Sequence, residues 1–120
     1  MSKLNFFKKG SIKISYRYYK RSKKTLIFLH GLLSDMNGKK SNYLNNYCKK
    51  NNISYLCFDF QGHGKSSGEL TNFGISNWYN DLDNIVKYLK IRNFILIGSS
   101  MGGWVAIIYA LMHPRKVTKL

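Results

Sequence analysis

The stretch Asn93-Phe94-Ile95-Leu96-Ile97-Gly98-Ser99-Ser100-Met101-Gly102-Gly103-Trp104-Val105-Ala106-Ile107-Ile108-Tyr109-Ala110-Leu111 decides how the whole chain is read. Its first five residues are a short apolar run with strand character, and everything from Met101 onward reads as a helix. Between them, Gly98-Ser99-Ser100-Met101-Gly102 is a Gly-x-Ser-x-Gly turn, the arrangement called a nucleophile elbow. The spacing has a steric reason. Ser100 takes a strained backbone angle at the apex, and only small residues at Gly98 and Gly102 let strand and helix pass closely enough to hold it. The turn lifts the serine oxygen above a sheet and sets a helix N-terminus beneath it, where partial positive charge favours an oxyanion. Ser99 precedes the apex and is expected to face the packing beside the sheet.

Working toward the N-terminus, residues 76–89 carry Trp78, Leu82, Ile85, Val86 and Leu89 at the i, i+4, i+7, i+8, i+11 spacing of an amphipathic helix. Ser76 or a neighbour is read as its cap, with Asp81 and Asp83 in the first two turns, where they suit the dipole. Ile53-Ser54-Tyr55-Leu56-Cys57-Phe58 is a strand ending at Asp59, and residues 40–51 show helical spacing through Tyr43, Leu44, Tyr47 and Cys48. Thr25-Leu26-Ile27-Phe28-Leu29 is a continuous apolar run ending at His30-Gly31, as in a central strand buried on both faces. Residues 11–18 alternate, with Ile12, Ile14, Tyr16 and Tyr18 on one face, as in an antiparallel strand near a sheet edge. Strands alternating with helices predict an α/β fold, a mainly parallel sheet with helices on both faces. In such sheets ligands bind beyond the carboxyl ends of the strands. His30, Asp59 and Ser100 all stand there, and that convergence marks a site.

Composition sets bounds on this reading. At 120 residues the chain is at most one domain, and an apolar fraction of 44% is ordinary for a globular core. A new strand begins at Val117 after the Pro114 turn, so residues 1–120 are expected to be the N-terminal part of a single domain about twice as long. The net charge of +15 invites a nucleic-acid partner. Yet sixteen of the twenty basic residues are Lys, scattered in pairs among abundant Asn, and only four are Arg, the residue whose planar fork suits phosphate oxygens. That pattern reads as a composition bias on a solvated surface, with no nucleic-acid role. Cys48 and Cys57 make neither a metal pattern nor a secreted framework and are read as buried free thiols. No run reaches signal-peptide or membrane-spanning character, so a cytoplasmic location is expected.

Serine needs a base, usually His, that an acid orients, together with backbone donors aimed at the developing oxyanion. The donors are legible: the amide of Met101, which follows the nucleophile, and a second amide from the loop after His30-Gly31, assigned to Leu32. Base and acid are not. On elbows of this kind they follow the serine in the order Asp or Glu, then His. After Ser100 there is no acidic residue, and the only histidine, His113, lies thirteen residues on, about 20 Å along a helix axis. The triad acid and His are therefore expected outside this chain, which alone should be inactive. His30 is read as shaping the oxyanion loop, which leaves its ring available to line the entrance. His63 falls in the glycine-rich turn Gly62-His63-Gly64, which lacks the spacing of a phosphate-binding loop, and Asp59 is read as pinning that turn through backbone hydrogen bonds. No cofactor or metal site is read.

His30-Gly31 after one strand, Asp59-x-x-Gly62-x-Gly64-x-Ser66 after the next and Gly98-Ser99-Ser100-Met101-Gly102 together resemble the α/β-hydrolase superfamily. Leu33-Ser34-Asp35-Met36-Asn37-Gly38-x-Lys40, Phe58-Asp59-Phe60-x-Gly62-His63-Gly64-x-Ser66, Ile75-Ser76-x-Trp78 and Gly98 to Trp104 are similar to bacterial relatives of the mitochondrial palmitoyl-protein thioesterase/acyl-glucuronide esterase branch of the abhydrolase-domain proteins. The resemblance runs from about residue 25 to the end. It implies a nucleophile at Ser100 and cofactor-free hydrolysis of an ester or thioester, on a small molecule or an acylated protein. Peptidase, amidase and perhydrolase chemistry share the same constellation, and a non-catalytic binding module shares the same fold. Substrate and oligomeric state are not legible.

Overall fold

The computed structural model describes residues 4–120. Ten elements follow in order: strands β1 (Asn5–Lys9), β2 (Ile12–Tyr19) and β3 (Thr25–Leu29), helix α1 (Lys39–Lys50), strand β4 (Ser54–Phe58), a single 3₁₀ turn at Leu70–Asn72, helix α2 (Ile75–Tyr88), strand β5 (Phe94–Gly98), helix α3 (Met101–Met112) and strand β6 (Val117–Lys119). The six strands form one sheet in the order β1-β2-β4-β3-β5-β6. β1 pairs antiparallel with β2, and β2 with β4; β4, β3, β5 and β6 run parallel.

Every residue of β3 and of β4 is buried, as their uninterrupted apolar runs require of strands covered on both faces. Alternate side chains divide between two cores. Ile27, Leu29, Leu56, Phe58, Phe94 and Leu96 face α2 and α3, while Leu26, Phe28, Tyr55 and Cys57 face α1 with Met36 and Cys48. The apolar stripe of α2 lies in the first core; Leu82 and Ile85 are fully buried there, each stabilising the fold by about 1.5–3 kcal/mol. Both cysteines are free and buried, and burial pushes the Cys57 thiol up to about 11.

β2 is antiparallel to both neighbours and lies one strand in from the sheet edge, as its alternation predicts; the outermost strand is β1, unread from the sequence, which pairs along it from Asn5↔Tyr16 to Lys9↔Ile12. Two expectations about α2 need correction. α2 starts earlier than read: Gly74 is its cap residue, and the Asn77 side chain accepts the Gly74 amide at 2.9 Å. Asp81 and Asp83 thus fall beyond the first turn, where the helix dipole has faded. Asp83 instead accepts from the Tyr109 hydroxyl and pairs with Lys87 at 2.8 Å. No helix among the described residues is long and apolar enough to cross a membrane.

Candidate functional site

The carboxyl ends of β3, β4 and β5 lie side by side, and the loops that leave them build the site. β5 ends at Gly98, and α3 starts at Met101. The two residues between make the turn, with Ser100 at φ 55° and ψ −119°, a conformation ordinary L-residues avoid. Glycine is required on both sides of it. A Cβ on Gly102 would run into the carbonyl oxygens of Leu29 and His30, and one on Gly98 would meet the Gly102 backbone. The Gly-x-Ser-x-Gly spacing is thus a matter of contact between β3, β5 and α3.

Ser100 is exposed at the apex. Gly31 is its neighbour: a Cβ there would sit 3.2 Å from the Ser100 Cβ and 3.8 Å from Oγ. Leu32, half exposed, lies between two clefts of about 400 Å³ that both reach Ser100. One is lined by Gly31, Ser34, Asp35, Lys40 and Ser99, the other by Ile75, Met101 and Trp104. The Leu32 and Met101 amides donate to no protein acceptor among the described residues. The next amides along are committed: Gly102 to the Ser99 carbonyl at 2.9 Å, Gly103 to the Ser100 carbonyl at 2.9 Å and Ser34 to the Gly31 carbonyl at 3.1 Å. Ser100, Met101, Gly31 and Leu32 are therefore brought together, and Gly98 and Gly102 hold the turn beneath them.

The histidines stand elsewhere. His30 is buried; its Nδ1 is 2.7 Å from the Gly31 carbonyl, and its Nε2 accepts the Phe60 amide at 3.1 Å. Because a carbonyl only accepts and an amide N–H only donates, His30 is the neutral Nδ1–H tautomer. Burial holds its pKa below the ordinary histidine value. Its ring lies against Phe60 and His63, at centroid distances of 5.0 and 4.9 Å, and does not line the entrance. His63 obeys the same rule. Its Nδ1 faces the Gln61 carbonyl at 3.2 Å, and its Nε2 accepts the Leu33 amide at 3.1 Å. Neither lone pair is available to take a proton from Ser100. His113 caps α3, with its Nε2 2.6 Å from the Tyr79 hydroxyl and its ring stacked on Tyr109.

Asp59 pins more than its own turn. Its carboxylate accepts the Lys65 amide at 3.1 Å, the Met36 amide at 2.9 Å and the Ser15 hydroxyl. Ser99 departs from expectation: the residue is half-buried, and its hydroxyl accepts an exposed hydrogen bond from Lys40 Nζ at 2.9 Å, because α1 begins opposite the end of β5. Sequence reasoning also missed Asp81. Its two carboxylate oxygens accept the Gln61 amide at 2.8 Å and the Gln61 side chain at 2.7 Å. Burial lifts its pKa to about 7, and the Gln61 donors restrain the rise. An acidic residue on the apolar face of an amphipathic helix was the available signal for it.

Known proteins share this architecture. The chain is 34% identical to the mitochondrial palmitoyl-protein thioesterase ABHD10 of Rattus norvegicus over 118 residues, 98% of this chain and 40% of that protein. It is 36% identical to putative esterase/lipase 2 of Mycoplasma genitalium over 103 residues, 84% of this chain and 37% of that protein. The solved structure of alpha/beta hydrolase domain-containing protein 10 from mouse superposes with a TM-score of 0.90 at 32% identity, covering 96% of this chain and 46% of that one. The chain thus spans about two fifths of the length of these curated relatives. The profile of the alpha/beta hydrolase fold matches residues 24–120, and the chain belongs to that family.

Proposed function

We propose that residues 1–120 are the nucleophile-bearing part of a serine hydrolase that cleaves a carboxylic ester or thioester. The observation that carries this reading is the turn at Ser100, exposed at φ 55° beside two amides without protein acceptors among the described residues, those of Met101 and Leu32. Ser100 Oγ attacks the acyl carbon while a histidine from outside this chain takes its proton and an acid orients that histidine. The Met101 and Leu32 amides receive the negative charge on the carbonyl oxygen as the tetrahedral intermediate forms. Its collapse returns the proton to the departing alcohol or thiol and leaves an acyl-Ser100 ester, which water then cleaves by the same steps in reverse order. The names of the rat thioesterase and the Mycoplasma esterase/lipase support this reaction class, and an acyl group carried by a small molecule or by a protein requires the same chemistry of Ser100.

The test is labelling of the full-length protein by a fluorophosphonate, whose phosphorus a base-polarised serine attacks as it attacks an acyl carbon. Labelling and p-nitrophenyl ester turnover should vanish in Ser100→Ala and persist in Ser99→Ala. Loss in Ser99→Ala with retention in Ser100→Ala would put the nucleophile one residue away and overturn the assignment. Leu32→Pro, which deletes the second amide, should lower turnover by about a hundredfold or more while substrate binding suffers less.

A further inference from the structure

We propose that His63 is a positioning residue for the loop carrying the Leu32 amide: its Nε2 holds the Leu33 N–H, and Asp81, acting through Gln61, fixes His63 in the tautomer able to do so. The inference rests on Leu32 as an oxyanion donor and adds the device that aims it.

The loop needs such a device. Leu32 and Leu33 are both exposed and belong to neither apolar core, and Leu33 sits at φ 63°, which a residue with a Cβ holds only when its surroundings impose it. The hydrogen bond from Leu33 N–H to His63 Nε2 at 3.1 Å fixes the peptide next to the one presenting the Leu32 amide, and the Ser34-to-Gly31 turn bond closes the loop. A histidine nitrogen accepts only while unprotonated, so Nδ1 must carry the proton and must have an acceptor of its own. That acceptor is the Gln61 carbonyl, which also receives Trp78 Nε1–H at 3.0 Å. Gln61 in turn is held at both its amide and its side chain by the two oxygens of buried Asp81. Asp81, Gln61 and His63 thus form one buried line that runs from α2 to the Leu33 amide of the exposed loop, with the rings of His30 at 4.9 Å and Trp78 at 5.7 Å flanking His63. A histidine present only to fill space would not need both nitrogens committed to groups of fixed donor or acceptor character.

The experiment compares His63→Leu and His63→Gln in the full-length protein, with Ser100→Ala as control. His63→Leu removes the acceptor at similar volume. It should lower kcat by about tenfold or more with KM nearly unchanged, and weaken a boronate or trifluoromethyl ketone transition-state analogue by the same factor. His63→Gln returns an acceptor oxygen and should recover much of both losses. In the parent protein the Leu33 amide should be protected from hydrogen exchange, and the imidazole nitrogen spectrum of His63 should show the Nδ1–H tautomer. Equal losses in Leu and Gln variants, unchanged analogue affinity in His63→Leu, or a Leu33 amide exchanging at the rate of an open loop would each overturn the proposal. Should His63→Leu not fold, the two parent measurements still decide it. If Ser100→Ala retains turnover, the underlying reading fails first, whatever His63 does.

Discussion

Ser100 holds φ 55° and ψ −119°, a backbone conformation that glycine enters freely and that costs a residue with a Cβ about 1–3 kcal/mol. The strain belongs to the position and not to the hydroxyl, so Ser100→Gly should stabilise the protein by about 1 kcal/mol or more, whereas Ser100→Ala should leave stability near that of the parent. Denaturant titration of the two inactive variants separates them. The flanking glycines behave oppositely. Gly102→Ala drives a methyl into the Leu29 and His30 carbonyl oxygens, backbone atoms with nowhere to go, and should destabilise by about 3 kcal/mol or more in the same assay. This turn was legible in the sequence because its geometry is local: five consecutive residues specify it. The contacts of His63 with Leu33 and of Lys40 with Ser99 were not, since their partners lie 30 and 59 residues apart and only the assembled sheet brings them together. Residue type showed that His63 and Lys40 could bond; nothing in their neighbourhoods showed to what.

Among the elements, β3, β4, β5 and all three helices were readable from apolar runs and helical spacing, with ends differing by a residue or so except at the start of α2. There Ser76, a preferred cap type, competes with Gly74, and Asn77 settles the matter by bonding back to the Gly74 amide. β1 escaped notice because only its central Phe7 is buried, leaving no alternation to read. Asp81 lies on the buried face of α2 with Trp78, Leu82 and Ile85, and its titration opposes that of His30. His30 carries a lowered pKa, so its contribution to stability is present above about 6.5 and is lost as pH falls through its folded value. Asp81, raised from 3.8 to about 7, contributes stability that is full below 3.8 and lost as pH rises through about 7. Between pH 7 and 4 the two trends partly cancel. Asp81→Asn removes one of them, so the melting temperature of that variant should fall more steeply than the parent's over this range. Calorimetry across a pH series checks the slope, which is independent of any fixed loss at the mutated site.

At the scale of the whole molecule, the outer side of α3 leaves Trp104, Ile107, Leu111 and Met112 exposed, and β6 pairs with only the first two residues of β5. An apolar helix face beside an open strand edge is a surface for association. Expressed alone, the 120-residue chain should therefore self-associate and bind a hydrophobic dye, which light scattering and fluorescence would register; a monomer with a cooperative melt would count against this. The same preparation should show no appreciable p-nitrophenyl ester turnover, because His30 and His63 have both ring nitrogens engaged away from Ser100, and His113 stands at the far end of α3 with its Nε2 on the Tyr79 hydroxyl. Loss of a triad member typically costs several orders of magnitude. The carboxylate of Asp59 has a consequence for how the native state opens. It clasps β2 through Ser15, the segment before α1 through Met36 and the turn after β4 through Lys65, parts of the chain that share no strand ladder or helix at those atoms. A clasp of this kind makes separate loops fluctuate as one cooperative unit. The Met36 and Lys65 amides should then exchange their hydrogens through a single opening event with a common free energy, and Asp59→Asn should split that event into two independent, faster ones.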